Sequence, residues 1–308
     1  MSHKTLVNGT AYEVKGGKCL VNGTSYNIKM GRTLINGTGE DIVFSSVSLI
    51  LDENDWTTIR EVSDAGQGSN YWSIGDRKAI TLNGTLGNLS LSNYTTYAFI
   101  IGFNHNASVE GANRIHFQLA KTALSGGKDV CLRDSSYNKR VNKTGYFSMN
   151  SSETNSGGWK SSQMRTAICG TSLSSYSGTI IAVIPEALRS VLKSVTKYTD
   201  NTANGGGSTA SYITATTDYF FLLSEFEVFG SISVGNTNEK NKQAQYAYYS
   251  AGNSKIKYTH NDLGNAAFWW LRSPHASEDD RFVFVNSGGA VKNYRANYSI
   301  GFAPGFCV

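Results

Sequence analysis

Phe268-Trp269-Trp270-Leu271-Arg272-Ser273-Pro274 is followed by a polar loop and then by three further apolar stretches at 281–285, 290–294 and 300–308. Each stretch is short, rich in aromatic and β-branched residues, and bounded by Asn, Gly, Ser or Asp. That texture predicts short strands joined by tight turns. Working outward, residues 78–82, 97–103 and 219–229 read the same way. Helical spacing is rarer. Trp56, Ile59 and Val62 share one face, with Asp55 placed to cap the start and Gly66 the end. Ser161 or Ser162 caps a short helix running to Ile168, closed by Gly170. Pro185 opens a helix with the stripe Leu188, Val191, Leu192 and Val195, and Lys193 and Lys197 lie toward its C-terminal end. The expected fold class is α+β, short antiparallel strands with a few helices.

The N-terminus carries an internal repeat. Lys4-Thr5-Leu6-Val7-Asn8-Gly9-Thr10 aligns with Lys18-Cys19-Leu20-Val21-Asn22-Gly23-Thr24 and with Arg32-Thr33-Leu34-Ile35-Asn36-Gly37-Thr38, a period of 14 residues. Asn-Gly between apolar pairs is a strong hairpin signal, because both central residues of a type I′ turn need positive φ. The three units predict a narrow β-meander over residues 1–43. Some forty residues bury too little surface to stand alone, so the segment, with turn residues Asn8, Gly9, Asn22, Gly23, Asn36 and Gly37, should dock on the rest of the chain or on another subunit, the alternative being a simple N-terminal flap. Residues 44–308 form the second expected domain.

Composition narrows the function. The net charge of +5 is modest and its basic residues are scattered, which argues against a nucleic-acid binder. The first residues lack an apolar signal core and the longest apolar runs cannot span a bilayer. We therefore expect cytoplasmic synthesis without a membrane role. Cys19, Cys131, Cys169 and Cys307 match neither a zinc spacing nor a disulfide framework, so they read as reduced thiols.

Several motifs then occur in a recognisable order: Tyr71-Trp72-Ser73-Ile74-Gly75-Asp76, Ile101-Gly102-Phe103-Asn104-His105, Gly157-Gly158-Trp159-Lys160-Ser161-Ser162-Gln163-Met164-Arg165, Glu227-Val228-Phe229-Gly230, the Trp-Trp-Leu-Arg stretch, and the closing Gly301-Phe302-Ala303-Pro304-Gly305-Phe306-Cys307-Val308. Together they resemble an uncharacterised domain family of prophage and phage structural proteins from Gram-positive bacteria. The ending resembles the C-terminal pattern of C-type-lectin-like domains. The resemblance implies that fold and a place in a phage particle; it carries no catalytic residue.

The candidate contact residues are few. Trp269 could face a sugar or receptor, although its strand neighbours argue for packing. His275, Glu278, Asp279 and Asp280 form an acidic loop, but without the alternating oxygen ligands of a calcium loop. Tyr246 and Tyr248 lie in a tyrosine-rich stretch suited to low-entropy contacts. Arg165 and Arg272 read as core braces that pair with carboxylates or loop carbonyls. Glu225 and Glu227, two apart, read as one strand face. No catalytic constellation, cofactor motif or metal set emerges, so the expectation is a non-enzymatic virion protein, synthesised in the cytoplasm. Its partners would be other virion proteins, through the N-terminal repeats, and a host-surface glycan or protein, through loops 200–210 and 274–281. A homo-oligomer in the particle is expected. The alternatives are a capsid decoration or tail-assembly protein, and a cell-wall or polysaccharide hydrolase.

Overall fold

The computed structural model describes residues 4–7, 10–13, 18–21, 24–27, 30–35, 38–43, 47–121, 127–134, 139–140 and 147–308. The chain divides into two compact units, Met1–Leu49 and Ile50–Val308. In the first, Lys4–Val7 pairs with Thr10–Glu13, Lys18–Val21 with Thr24–Asn27, and Met30–Ile35 with Thr38–Val43, all antiparallel. These are three separate two-stranded sheets. Pairing stays within each repeat among the described residues, and the continuous meander expected from the repeat is not seen. Asn8, Gly9, Asn22, Gly23, Asn36 and Gly37 lie outside the described residues.

The second unit is mixed α+β, with several small sheets and short helices. Its main sheet is antiparallel and five-stranded, in the order Phe220–Phe221, Gly305–Cys307, Ile115–Lys121, Leu89–Phe103, Arg77–Leu86. The Trp56–Asp64 helix packs on it. Asp55 caps this helix by accepting from the Thr58 amide at 2.7 Å, and Gly66 leaves it at φ +68°. Trp56 meets Phe117 edge-on at 5.6 Å and Phe306 at 6.2 Å, so the expected apolar face is the buried one.

Beside this sheet, Trp269–Pro274, Arg281–Val285 and Val291–Arg295 make a three-stranded antiparallel sheet, and Val195–Asp200 forms a hairpin with Ile213–Asp218. The Gly157-Gly158-Trp159 motif has a steric cause. Both glycines have positive φ, and a Cβ on Gly158 would lie 1.9 Å from the Asp200 carbonyl oxygen. The close pass lets Trp159 bury its ring and donate Nε1–H to Asp218 at 3.1 Å.

Two expected elements differ. The Pro185 helix is a single turn, Glu186–Arg189, and Val195 already belongs to a strand. The stripe is buried as its spacing implies, but Val195 pairs with Asp218 and the Lys193 amide bonds the Cys307 carbonyl, so sheet pairing overrides helical propensity. Residues Glu225–Phe229 form a helix, not a strand. Ser224 and Glu227 close a capping box at its start.

Candidate functional site

Four of the charged side chains buried in the second unit form one network. Lys197 sits on the Val195–Asp200 strand, Arg272 on Trp269–Pro274, Glu227 on the Glu225–Phe229 helix and Glu110 on the Ala107–Glu110 turn; all are buried. The Lys197 ammonium has three acceptors: Glu110 Oε2 at 2.6 Å, Glu227 Oε1 at 2.9 Å and Tyr246 Oη at 2.8 Å. Arg272 holds Glu227 in a fork, with Nη2 2.9 Å from Oε1 and Nη1 bonding Oε2. As the sequence suggested, Arg272 braces a carboxylate; so does Arg165, whose Nε lies 2.6 Å from Asp218.

Electrostatics divides the two acids. Burial alone would raise the Glu227 carboxyl, but Arg272 and Lys197 outweigh it and hold it below the ordinary carboxylate range. Burial pushes Glu110 up to about 7, against the pull of Lys197. Burial pushes His105 down to about 3 and His116 well below its usual value, so both imidazoles are neutral. His105 stacks on Tyr246 at 3.7 Å, and Tyr246 Oη lies 3.1 Å from His116 Nδ1. The same His116 nitrogen also meets Cys307 Sγ at 3.3 Å.

His105, Glu110 and Glu227 offer ligand atoms within 4.8 Å of one another, a spacing that could hold a cation. The Lys197 ammonium bonds both carboxylates and takes that position. A divalent ion would have to displace this ammonium, beside the Arg272 guanidinium that already pairs with Glu227. The residues present do not fit a metal.

The two strands that carry Lys197 and Arg272 touch through Arg272 Nε and Thr199 Oγ1, 2.8 Å apart, and they run on into loops 200–210 and 274–281. These loops meet. Asn155, fully buried, donates Nδ2 to the carbonyls of Glu278 at 2.7 Å, Arg281 at 3.0 Å and, more weakly, His275 at 3.3 Å; its Oδ1 accepts from the Asn204 amide at 2.9 Å. The Gly207 amide bonds the Ala276 carbonyl at 2.8 Å. A third segment joins them. The Glu225 carboxylate accepts from the Ser233 and Gly235 amides at 2.6 and 2.7 Å, and the Ala276 amide bonds Val234. Asp200 fixes the start of its loop by accepting from the Thr202 and Ala203 amides at 3.0 and 2.7 Å. The result is a stapled polar surface exposing Thr202, Asn204, Ser208, Ser277, Glu278 and Asp279.

Residues 130–308 match the family described as a domain of unknown function (DUF6273). The chain belongs to this family. No curated protein and no solved structure matches the chain. The DUF6273 segment supplies Asn155, Lys197, Glu227, Tyr246, Arg272 and both loops. His105, Glu110 and His116 precede it, so the ion network ties the family segment to residues before it.

The candidate contact residues are thereby sorted. His275, Glu278, Asp279 and Asp280 lie on the stapled surface. His275 Nδ1 accepts from the Ser277 and Glu278 amides at 3.1 and 2.9 Å, and Asp280 pairs with Arg281 and Arg295, so two of the four serve the loop's own structure. Trp269, Tyr246 and Tyr248 are corrected: all are buried. Trp269 Nε1 bonds the Lys255 carbonyl at 3.0 Å, and Tyr248 Oη bonds Asp129 at 3.0 Å and accepts from Lys121 at 2.7 Å. Their polar ends are satisfied inside the core, so burial gains their apolar area at no polar cost. Cys131, Cys169 and Cys307 are free and buried. No helix among the described residues is long and apolar enough to cross a membrane.

Proposed function

We propose that this chain is a non-enzymatic adhesive or structural protein of a bacteriophage particle, whose C-type-lectin-like second unit binds host-surface glycan through loops 200–210 and 274–281. The observation that carries the reading is the Asn155 staple. One buried side chain bonds both loops, and it holds them as a single preformed surface. Preorganisation is what a weak polar ligand needs, because loop-ordering cost then falls on folding and not on binding. Exposed amide, hydroxyl and carboxylate groups suit sugar hydroxyls. The buried ion network supports the same reading from the other side: its cations and carboxylates bond one another. The N-terminal repeats would mount the chain on other virion proteins, and the copies would assemble with the particle's symmetry.

The test is competition. Purified chain should block adsorption of the parent phage to host cells, and Glu278→Lys with Asp279→Lys should abolish the block without moving the melting temperature. If the purified chain leaves adsorption untouched and instead binds saturably to particles lacking it, the chain is a decoration or assembly protein and the glycan reading fails.

A further inference from the structure

We propose that Lys197 and Glu110 become joined by an intramolecular isopeptide bond, which forms in the folded chain without any other reactant. The geometry brings the amine and the acid into direct contact. The Lys197 nitrogen lies 2.6 Å from an oxygen of the Glu110 carboxyl and 2.9 Å from the carboxylate of Glu227. Both acids and the lysine are buried, and the Phe221 ring stands 4.2 Å from the ammonium. Holding amine and acyl carbon together in one orientation replaces an encounter in solution and supplies a large effective concentration.

The two carboxyls have different roles because their surroundings differ. Glu110 is the electrophile. Burial favours its neutral form, and a neutral carboxyl accepts an amine where a carboxylate repels it. Glu227 is the base, kept ionised and fixed in orientation by the Arg272 fork. Glu227 takes one proton from the ammonium. The freed electron pair on Nζ forms a C–N bond to Glu110 Cδ. The carboxyl's hydroxyl leaves with a second lysine proton as water, and the proton on Glu227 passes to solvent. The product is a neutral secondary amide plus one water, with no change in oxidation state. Tyr246, which accepts the ammonium's third hydrogen bond, and neutral His116 behind it complete the polar lining. Condensation also removes the buried charge of the Lys197 ammonium, while Glu227 stays paired with Arg272. The link would tie the strand leading into loop 200–210 to the Ala107–Glu110 turn, outside the DUF6273 segment. It does not depend on what the loops bind.

The measurement is the mass of the intact denatured chain, followed by a tryptic map. The wild-type chain should be lighter than its sequence by one water. Trypsin should fail to cut after Lys197 and should release a branched species joining residues 79–114 to 194–240. A full sequence mass, with linear peptide beginning at Tyr198, would overturn the proposal. A missing water located elsewhere, without the branched peptide, would do the same. Glu227→Gln should restore the full mass and cleavage after Lys197; a crosslink that persists in this variant would refute the role of Glu227. If Glu227→Gln does not fold, the wild-type map decides alone.

Discussion

Asn155→Ala removes the staple between the two loops. Three of its hydrogen bonds are short: to the Glu278 carbonyl at 2.7 Å, to the Arg281 carbonyl at 3.0 Å and from the Asn204 amide at 2.9 Å. The fourth, to His275 at 3.3 Å, shares two amide protons with the others and contributes little. At about 1 kcal/mol net for each good bond, the loss is about 3 kcal/mol, since nothing replaces the partners. In a domain of this size that lowers the melting temperature by roughly 6–12 °C if the loops unfold with the rest. If they open locally, the loss appears as hydrogen exchange. The Gly207 and Ala276 amides, which bond Ala276 and Val234 carbonyls, should lose about a hundredfold in protection, the same free energy expressed as an equilibrium. Exchange at these amides is the assay. Wild-type protection at both in Asn155→Ala would show that the loops are held by other contacts, and the argument for one preformed surface would fall.

The core makes a second expectation: Trp270→Ala and Phe306→Ala, both fully buried, should each cost about 3–5 kcal/mol, and an unchanged urea midpoint for both would contradict their placement. Millimolar calcium or a chelator should leave the melting temperature unchanged, because His275 and Asp280 are engaged within their own loop; a calcium-dependent rise lost in Asp279→Ala with Asp280→Ala would contradict this. Stability should also depend on pH with a defined sign. Burial lowers His105 from 6.5 to about 3 and His260 to about 4, with His116 lowered too, so the unfolded chain takes up three protons that the folded one refuses as pH falls below 6.5. Burial raises Glu239 from 4.5 to about 7, so its contribution is complete below 4.5 and is lost as pH rises through 7. Between 4.5 and 6.5 the lowered histidines, His275 among them, outnumber Glu239, so stability declines on acidification, and more steeply below 4.5. A urea midpoint that rises on acidification below pH 4.5 would reverse the sign and contradict the assignment.

Local rules were legible in the sequence where the structure is local. The Trp56–Asp64 helix follows from its cap and its apolar spacing, both set within a dozen residues. The Glu225–Phe229 helix was misread because Glu225 and Glu227 alternate with apolar residues, yet Ser224-x-x-Glu227 is a capping-box signature and could have identified it. The turn after Pro185 shows the opposite failure: its spacing fits a helix, and only pairing with Asp218, far along the chain, converts Val195 to strand. The two surface loops stand out by composition, but their adjacency rests on Asn155, an unremarkable polar residue in sequence. The ion network is the least legible part. Lys197 is separated by 87 residues from Glu110 and by 30 from Glu227, and no motif records such pairings. Tyr246 and Tyr248 looked like surface because tyrosine suits both settings; their hydroxyls found partners inside.

We propose that loops 200–210 and 274–281 form the outward, ligand-facing surface of a phage particle component. Antibody selected for the 274–281 loop in the folded chain, applied to intact particles under the electron microscope, tests it directly. Labelling is expected at a defined, repeated position on the particle, together with loss of adsorption to host cells. Labelling only after particles are disrupted, or none, would contradict it.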